Sequence, residues 1–147
     1  MYLLTPELRA EIQAHNRAVI LDSLKALGIT RVTIEYNGCG DSGDVTDAGT
    51  EPADAVEHLK ETAVVVACIN YDHGAPQDTR YSRQDCSTSL REALDHFALD
   101  WASMQHPGWE NNDGGRGEFT VFVNEGRFEL EHYEYYTESS HYAYELP

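Results

Sequence analysis

The sequence predicts an α+β fold, in which an antiparallel sheet of three to four strands carries two main helices on one face. Helical repeats of apolar residues over about 6–27 and 89–104, and a C-terminal hairpin over 118–136, are the patterns that predict it. The order of helix, strand, short helix, strand, helix and hairpin favours helices packed on one side of the sheet. A chain of 147 residues holds one core, so we expect a single domain over 1–147.

The first helix is predicted from its cap and its apolar spacing. Thr5-Pro6-Glu7 places an N-cap residue before a proline and an acid in the first turn. Apolar side chains then recur at helical spacing as far as Leu27, and Gly28 ends the helix.

The middle of the chain gives weaker patterns. Residues 30–36 alternate apolar and polar side chains, which predicts a half-buried strand. Residues 37–47 are dense in turn-forming residues and are predicted to be a loop. A short helix is expected over 52–60. Residues 62–70 are predicted to be a strand, although their pattern also fits a buried helical turn. An exposed loop is expected over 71–85.

The second main helix and the hairpin are predicted from local signals. Ser89 and Glu92 form a capping box, and apolar residues at helical spacing follow as far as Trp101. Two strands, 118–123 and 127–136, are separated by a short turn in which Gly126 is expected to adopt the left-handed conformation.

The cysteines and the termini indicate a cytoplasmic protein. Cys39, Cys68 and Cys86 are odd in number and lack metal-like or redox spacing, so we expect reduced thiols. No apolar run approaches the ~20 residues of a membrane span, and the N-terminus lacks the features of a signal peptide. We therefore expect no membrane association.

The charge is strongly negative and unevenly distributed. The net charge is −16, and residues 35–61 hold eight acids and one lysine. This balance argues against direct binding of nucleic acid, whose phosphates it would repel. The same charge suits a basic partner, a cation, or imitation of a phosphate backbone. Solubility alone remains an alternative explanation.

The segment from His106 to Phe119 is the most informative stretch of the chain. It packs glycines, acids, amides, an arginine and a tryptophan between a predicted helix and a predicted strand. Loops of this length are usually functional or disordered, and the tryptophan favours an ordered, functional loop. If strand 31–36 lies antiparallel to strand 118–123, this loop, residues 38–47 and residues 135–138 meet at one edge of the sheet.

We expect that edge to be a binding surface. Its predicted residues carry carboxylate, amide, imidazole, guanidinium or aromatic groups, and they are Asp41, Asp44, His106, Trp109, Glu110, Asn112, Asp113, Arg116, Glu118, Tyr135, Tyr136 and Glu138. Tyr, Trp and Arg side chains contribute most of the binding energy of many protein interfaces. The alternative is that the tyrosines only cover an exposed face of the sheet.

Catalytic and metal-binding readings of the same edge are weaker. Asp41, Asp44, Asp113 and Glu118 are weak candidates for ligands of Ca²⁺ or Mg²⁺, because the loop around Asp113 departs from the EF-hand in ligand order and length. Gly114-Gly-Arg-Gly117 lacks the lysine and hydroxyl of a phosphate-binding loop. We therefore expect no cofactor and no metal, name no catalytic residue, and favour a protein that is not an enzyme.

Three motifs resemble those of a known family. Gly38-x-Gly-Asp-Ser-Gly-Asp44, His106-Pro-Gly-Trp-Glu-Asn-Asn-Asp-Gly-Gly-Arg-Gly-Glu-Phe119 and Tyr135-Tyr-Thr-Glu-Ser139 together resemble a family of small acidic proteins of unknown function. Members of that family are carried by bacterial plasmids, phages and integrated elements. The resemblance covers residues 30–147 and implies a mobile genetic element, where acidic proteins often antagonise host defence. It implies no activity.

These observations predict an acidic accessory protein of a mobile element. Such a protein would bind a basic protein surface, as a mimic of nucleic acid or as an inhibitor of a host defence nuclease complex. The alternative is a small metal-dependent enzyme or a divalent-cation-binding module that uses the acidic loops.

Overall fold

The computed structural model describes residues 6–39, 42–76, 81–105 and 114–134. Its helices are α1 (Pro6–Ala26), α2 (His58–Glu61) and α3 (Leu90–Gln105), and a 3-10 turn (Ala53–Glu57) precedes α2. Its strands are β1 (Arg31–Cys39), β2 (Ser42–Glu51), β3 (Ala63–Tyr71), β4 (Tyr81–Ser89), β5 (Gly115–Phe122) and β6 (Arg127–Glu134). The predicted α+β class and both main helices are confirmed.

The strands form two antiparallel sheets where the sequence predicted one. The larger sheet has the order β2-β1-β5-β6, and β3 and β4 form a separate two-stranded sheet. The predicted strand over 62–70 is confirmed as β3. The predicted hairpin is confirmed as β5 and β6, with Gly126 at φ 64° in the turn. Residues 135 and 136, which the prediction placed in the hairpin, lie outside the described residues.

Two predicted loops contain strands. Of the predicted 37–47 loop, residues 37–39 end β1 and residues 42–47 begin β2, and residues 81–85 of the predicted 71–85 loop begin β4. Glycine and aspartate are poor strand formers, but β2 lies at the edge of its sheet and leaves one face exposed, where they are tolerated. The largely polar β4 lacks an apolar alternation, so only its pairing with β3 reveals it.

The prediction of reduced thiols is wrong for two of the three cysteines. Cys68 on β3 and Cys86 on β4 form a disulfide, with their Cα atoms 6.3 Å apart. Their spacing of 18 residues matched no metal or redox motif. The bond arises because the β3–β4 pairing brings together two positions that are distant in the chain.

One core joins the helices to both sheets. Phe119 and Val121 of β5, Ile34 of β1, Leu94 of α3 and Ile20 of α1 are buried in the same cluster. Side chains alternate between buried and exposed along β5, so the helices cover one face of the larger sheet and its other face is open. The open face is called the open sheet face below.

One asparagine of helix α1 binds the backbone of the smaller sheet. The Asn16 side-chain amide donates to the carbonyl oxygen of Ala67 at 2.9 Å and accepts from its backbone N–H at 2.7 Å. These are the two bonds that a neighbouring strand would make. Asn16 therefore shields one residue of the β3 edge and fixes the position of α1. No helix among the described residues is long and apolar enough to span a membrane.

Candidate functional site

The strand register brings the ends of four strands together. Gly38 of β1 lies opposite Gly43 of β2 and Gly115 of β5, and Gly115 lies opposite Glu134 of β6. The antiparallel pairing of β1 with β5 is the condition under which the sequence predicted a shared edge. It places the end of β1, the start of β2, the start of β5 and the end of β6 at one end of the larger sheet.

The described part of the predicted surface is limited to three residues. Asp44, Arg116 and Glu118 lie toward that end of the sheet, and all three are exposed. The remaining predicted residues lie outside the described residues, and they are Asp41, His106, Trp109, Glu110, Asn112, Asp113, Tyr135, Tyr136 and Glu138. Asp44 accepts a hydrogen bond from the N–H of Val45 at 2.8 Å.

A row of four carboxylates crosses the open sheet face. Glu35 of β1 pairs with Asp47 of β2 and with Glu118 of β5, and Glu118 pairs with Glu131 of β6. All four are exposed. We call this set the acid row. Neighbouring strands are ~4.8 Å apart, so the row extends over about 14 Å. Like charges directly opposite each other destabilise a sheet, and the fold carries three such pairs side by side.

The acid row is not neutralised by its surroundings. In the described part of the chain, the arginine ion pairs on this sheet belong to Arg31 and Arg127 at the opposite end, where they bind Glu51, Glu125 and Glu129, and a further pair joins His132 to Glu134. None of the described ion pairs involves Glu35, Glu118 or Glu131. The row therefore presents its charge to solvent.

Beside the acid row lies a second row with an aromatic side chain. Asn37 of β1 pairs with Arg116 of β5, and Arg116 pairs with Tyr133 of β6. The Arg116 guanidinium lies 4.9 Å from the centre of the Tyr133 ring, an arrangement typical of cation–π contacts. Tyr133 is nevertheless 50% exposed. The two rows line a shallow cleft of about 250 Å³.

On the opposite, helix-covered face, a buried polar pair occupies the same end of the sheet. The Tyr36 hydroxyl lies 2.6 Å from Nδ1 of His132, and Tyr36 is 1% exposed. The two residues are separated by Gly117 of β5, which pairs with both of them. Because Gly117 has no side chain, the Tyr36 ring can lie across it and reach a partner two strands away. Sequence patterning could not find this pair, since only the register aligns the three residues.

His132 also borders a cavity. Trp101, Gln105, Leu130 and His132 line a space of about 410 Å³ beneath the C-terminal end of α3. Oε1 of Glu134 lies 3.9 Å from Nε2 of His132. The imidazole thus has a phenol on one nitrogen and a carboxylate near the other.

Alkaline pH should test the burial of Tyr36. Burial raises the pKa of its phenol from 10.0 to about 12. The unfolded chain releases this proton above pH ~10, whereas the native state keeps it until about pH 12, so the native state loses stability between these values. By linkage the loss attributable to Tyr36 approaches about 2–3 kcal/mol. Urea denaturation at rising pH should show this loss, and Tyr36→Phe should lack it. An equal loss in both proteins would contradict the assignment.

A metal site would need several His, Cys, Asp or Glu side chains close together. Within residues 6–39, 42–76, 81–105 and 114–134, no three His, Cys, Asp or Glu side chains are grouped to hold a metal ion. Of the weak candidate ligands, Asp44 and Glu118 are both in this part, whereas Asp41 and Asp113 lie outside it.

The fold and the site define an α+β protein with one open, acidic sheet face beside a buried tyrosine–histidine pair. The chain belongs to a Family of unknown function (DUF6878), whose family model matches residues 12–146. The resemblance to a family of unknown function is therefore confirmed, and the match includes most of α1. No significant match was found among curated proteins or among solved structures.

Proposed function

We propose that this protein binds a basic surface of another protein through the open sheet face. The acid row carries the proposal. Four carboxylates in register cost the sheet stability, and nothing in the described fold uses their charge. A partner with lysine or arginine side chains would remove that repulsion on binding.

The geometry of the acid row favours one kind of basic surface. Carboxylates spaced by ~4.8 Å along a line resemble a strand of nucleic acid, which carries one charge per 3.4 Å of its axis. We therefore propose a target whose basic groove ordinarily holds nucleic acid. The resemblance of the sequence motifs to those of proteins from mobile elements supports an inhibitor of a host defence nuclease complex as the specific form of this function.

The aromatic side chain beside the acid row supplies binding energy that exposed charges alone do not. Exposed carboxylates raise association rates and select partners, but they contribute little affinity one by one. Tyr133, in contact with the Arg116 guanidinium, offers an aromatic ring at the edge of the acid row. Tyrosine is among the residues that dominate interface energies.

Replacing Glu118 should affect stability and binding in opposite directions. Glu118→Gln should raise the free energy of unfolding by about 0.5–1 kcal/mol, because it relieves repulsion from Glu35 and Glu131. Glu118→Lys should weaken binding of a short arginine-rich peptide about tenfold at low salt, and added salt should shrink this difference. Denaturation and calorimetric titration measure the two effects.

The matched control is Asp54→Lys, which changes the net charge equally. Asp54 is exposed in the 3-10 turn and belongs to neither row of the open sheet face. Its replacement should leave peptide affinity nearly unchanged. Equal weakening by Glu118→Lys and Asp54→Lys would show that the peptide responds only to total charge, and the proposed function would be wrong.

A further inference from the structure

The outer edge of β6 offers backbone groups for pairing. β6 is the last strand in the order β2-β1-β5-β6. In the described part of the chain, Arg127–Glu131 pairs only with β5. A strand at the edge of a sheet presents N–H and C=O groups that an extended segment of another protein can use.

Two open spaces lie beside this edge on the helix-covered face, and together they are called the trough. Phe128 lines a largely apolar groove of about 520 Å³ with Trp101, and Leu130 lines a second, more polar space of about 410 Å³ with Trp101, Gln105 and His132. Trp101 lines both spaces, and Phe128 and Leu130 are alternate residues of β6 on the same side. Phe128, Leu130 and Trp101 are only half-buried.

Helix α1 leaves the trough open because it presents small side chains to it. Ala10, Ala14 and Ala18 recur every four residues along the wall of the groove. Arg17 lies beside them, with its guanidinium 4.9 Å from the centre of the Phe128 ring and a hydrogen bond of 2.8 Å to the carbonyl oxygen of Gly126. The groove therefore has aromatic side chains on one side and small alanine side chains on the other, which leaves room for apolar side chains.

The charged side chains beside the β6 edge indicate which kind of segment would pair with it. On the open sheet face, β6 carries Glu129 and Glu131, and Glu131 ends the acid row. A second copy of this chain that paired through β6 with Glu129 opposite Glu131 would bring acids close to each other, which is unfavourable. A strand with basic residues would extend the acid row with a charge of opposite sign.

We propose that the partner adds an extended segment to β6 as a fifth strand of the sheet. Its residues alternate: basic side chains lie beside Glu129 and Glu131 on the open sheet face, and apolar side chains enter the trough beside Phe128 and Leu130. The alternation follows from the two-residue period of a strand. The placement of basic residues rests on the proposed function, whereas the placement of apolar residues rests on the trough alone.

The test uses peptides of one composition with the intact protein. One peptide alternates lysine and valine, and the other groups all its lysines before its valines. The alternating peptide should bind at least about tenfold more tightly, because only it places both residue types correctly. Two further versions carry N-methyl groups on its odd or on its even amides. One of these should lose binding about tenfold or more and the other should bind nearly as the parent, because alternate amides face β6.

The outcomes separate this inference from the proposed function. Suppose that both peptides bind with equal affinity, that N-methylation of neither set of amides weakens binding, and that Glu118→Lys still weakens it. The fifth strand is then wrong and the basic-surface function stands. If neither peptide binds, both are wrong. A self-association through β6 that the alternating peptide does not compete would also overturn the fifth strand. Ala14→Trp, which fills the trough from an exposed helix position, should weaken only the alternating peptide.

Discussion

Gly117→Ala should lower the free energy of unfolding by about 2–3 kcal/mol, although it adds a single methyl group. A Cβ at this position would lie closer than 3.0 Å to the hydroxyl and ring of Tyr36 and to the carbonyl oxygen of Glu131. The tyrosine would have to leave Gly117, and with it the hydrogen bond to His132. The carbonyl oxygen belongs to the backbone of β6 and cannot move without disturbing the β5–β6 pairing.

Gly49→Ala is the matched control for this substitution. Gly49 also lies in a strand of the larger sheet, but a Cβ there would meet nothing within 4 Å. Its replacement should change the free energy of unfolding by less than about 0.5 kcal/mol. In a Tyr36→Leu background, Gly117→Ala should cost less than in the natural chain, and the remainder measures the clash with the Glu131 carbonyl. Equal effects of both glycine substitutions in urea denaturation would contradict the proposed packing of Tyr36.

Phe119→Ala should cost about 3–5 kcal/mol, the largest effect that we expect from a single substitution. Phe119 is fully buried, and its ring centre lies 5.4 Å from that of Phe97, 5.7 Å from Phe128 and 5.9 Å from Trp101. Removing it opens a cavity at the meeting point of α3, β5 and β6. Domains of this size are stable by only about 5–15 kcal/mol, so the variant should unfold at a markedly lower urea concentration.

Phe122→Ala provides the comparison on the same strand. Phe122 is only half-buried, and the Arg127 guanidinium lies 4.2 Å from its ring centre. Loss of this contact should cost about 1 kcal/mol. Equal destabilisation by Phe119→Ala and Phe122→Ala would mean that the aromatic cluster is not the centre of the core.

The open sheet face illustrates how much of the candidate site the sequence foretold. Alternation along residues 30–36 predicted a strand with Glu35 on its polar side, and residues 118–123 were predicted to be a second strand. It did not predict that these two acids are neighbours, because the register of two strands distant in the chain depends on packing across the whole sheet. The positions of Asp47 and Glu131 in the acid row likewise depend on the register between strands.

Sequence patterns failed where residues adopt a secondary structure that their intrinsic propensity disfavours. Residues 42–47 include glycine and aspartate and belong to the segment predicted to be a loop, yet they form the first part of β2 and pair with β1. Edge strands tolerate such residues, because one backbone edge and one face remain in water. β4 is also polar, so only the apolar residues of its partner β3 indicated a strand of the smaller sheet.

The sequence by itself determined the α+β class, both main helices and the C-terminal hairpin. These features follow from periodicities of two and 3.6 residues, which are local properties of the chain. Only the tertiary structure decided the second sheet, the Cys68–Cys86 disulfide, the acid row and the Tyr36–His132 pair across Gly117. Each of these joins residues that are far apart in the chain, and burial of the shared core sets their alignment.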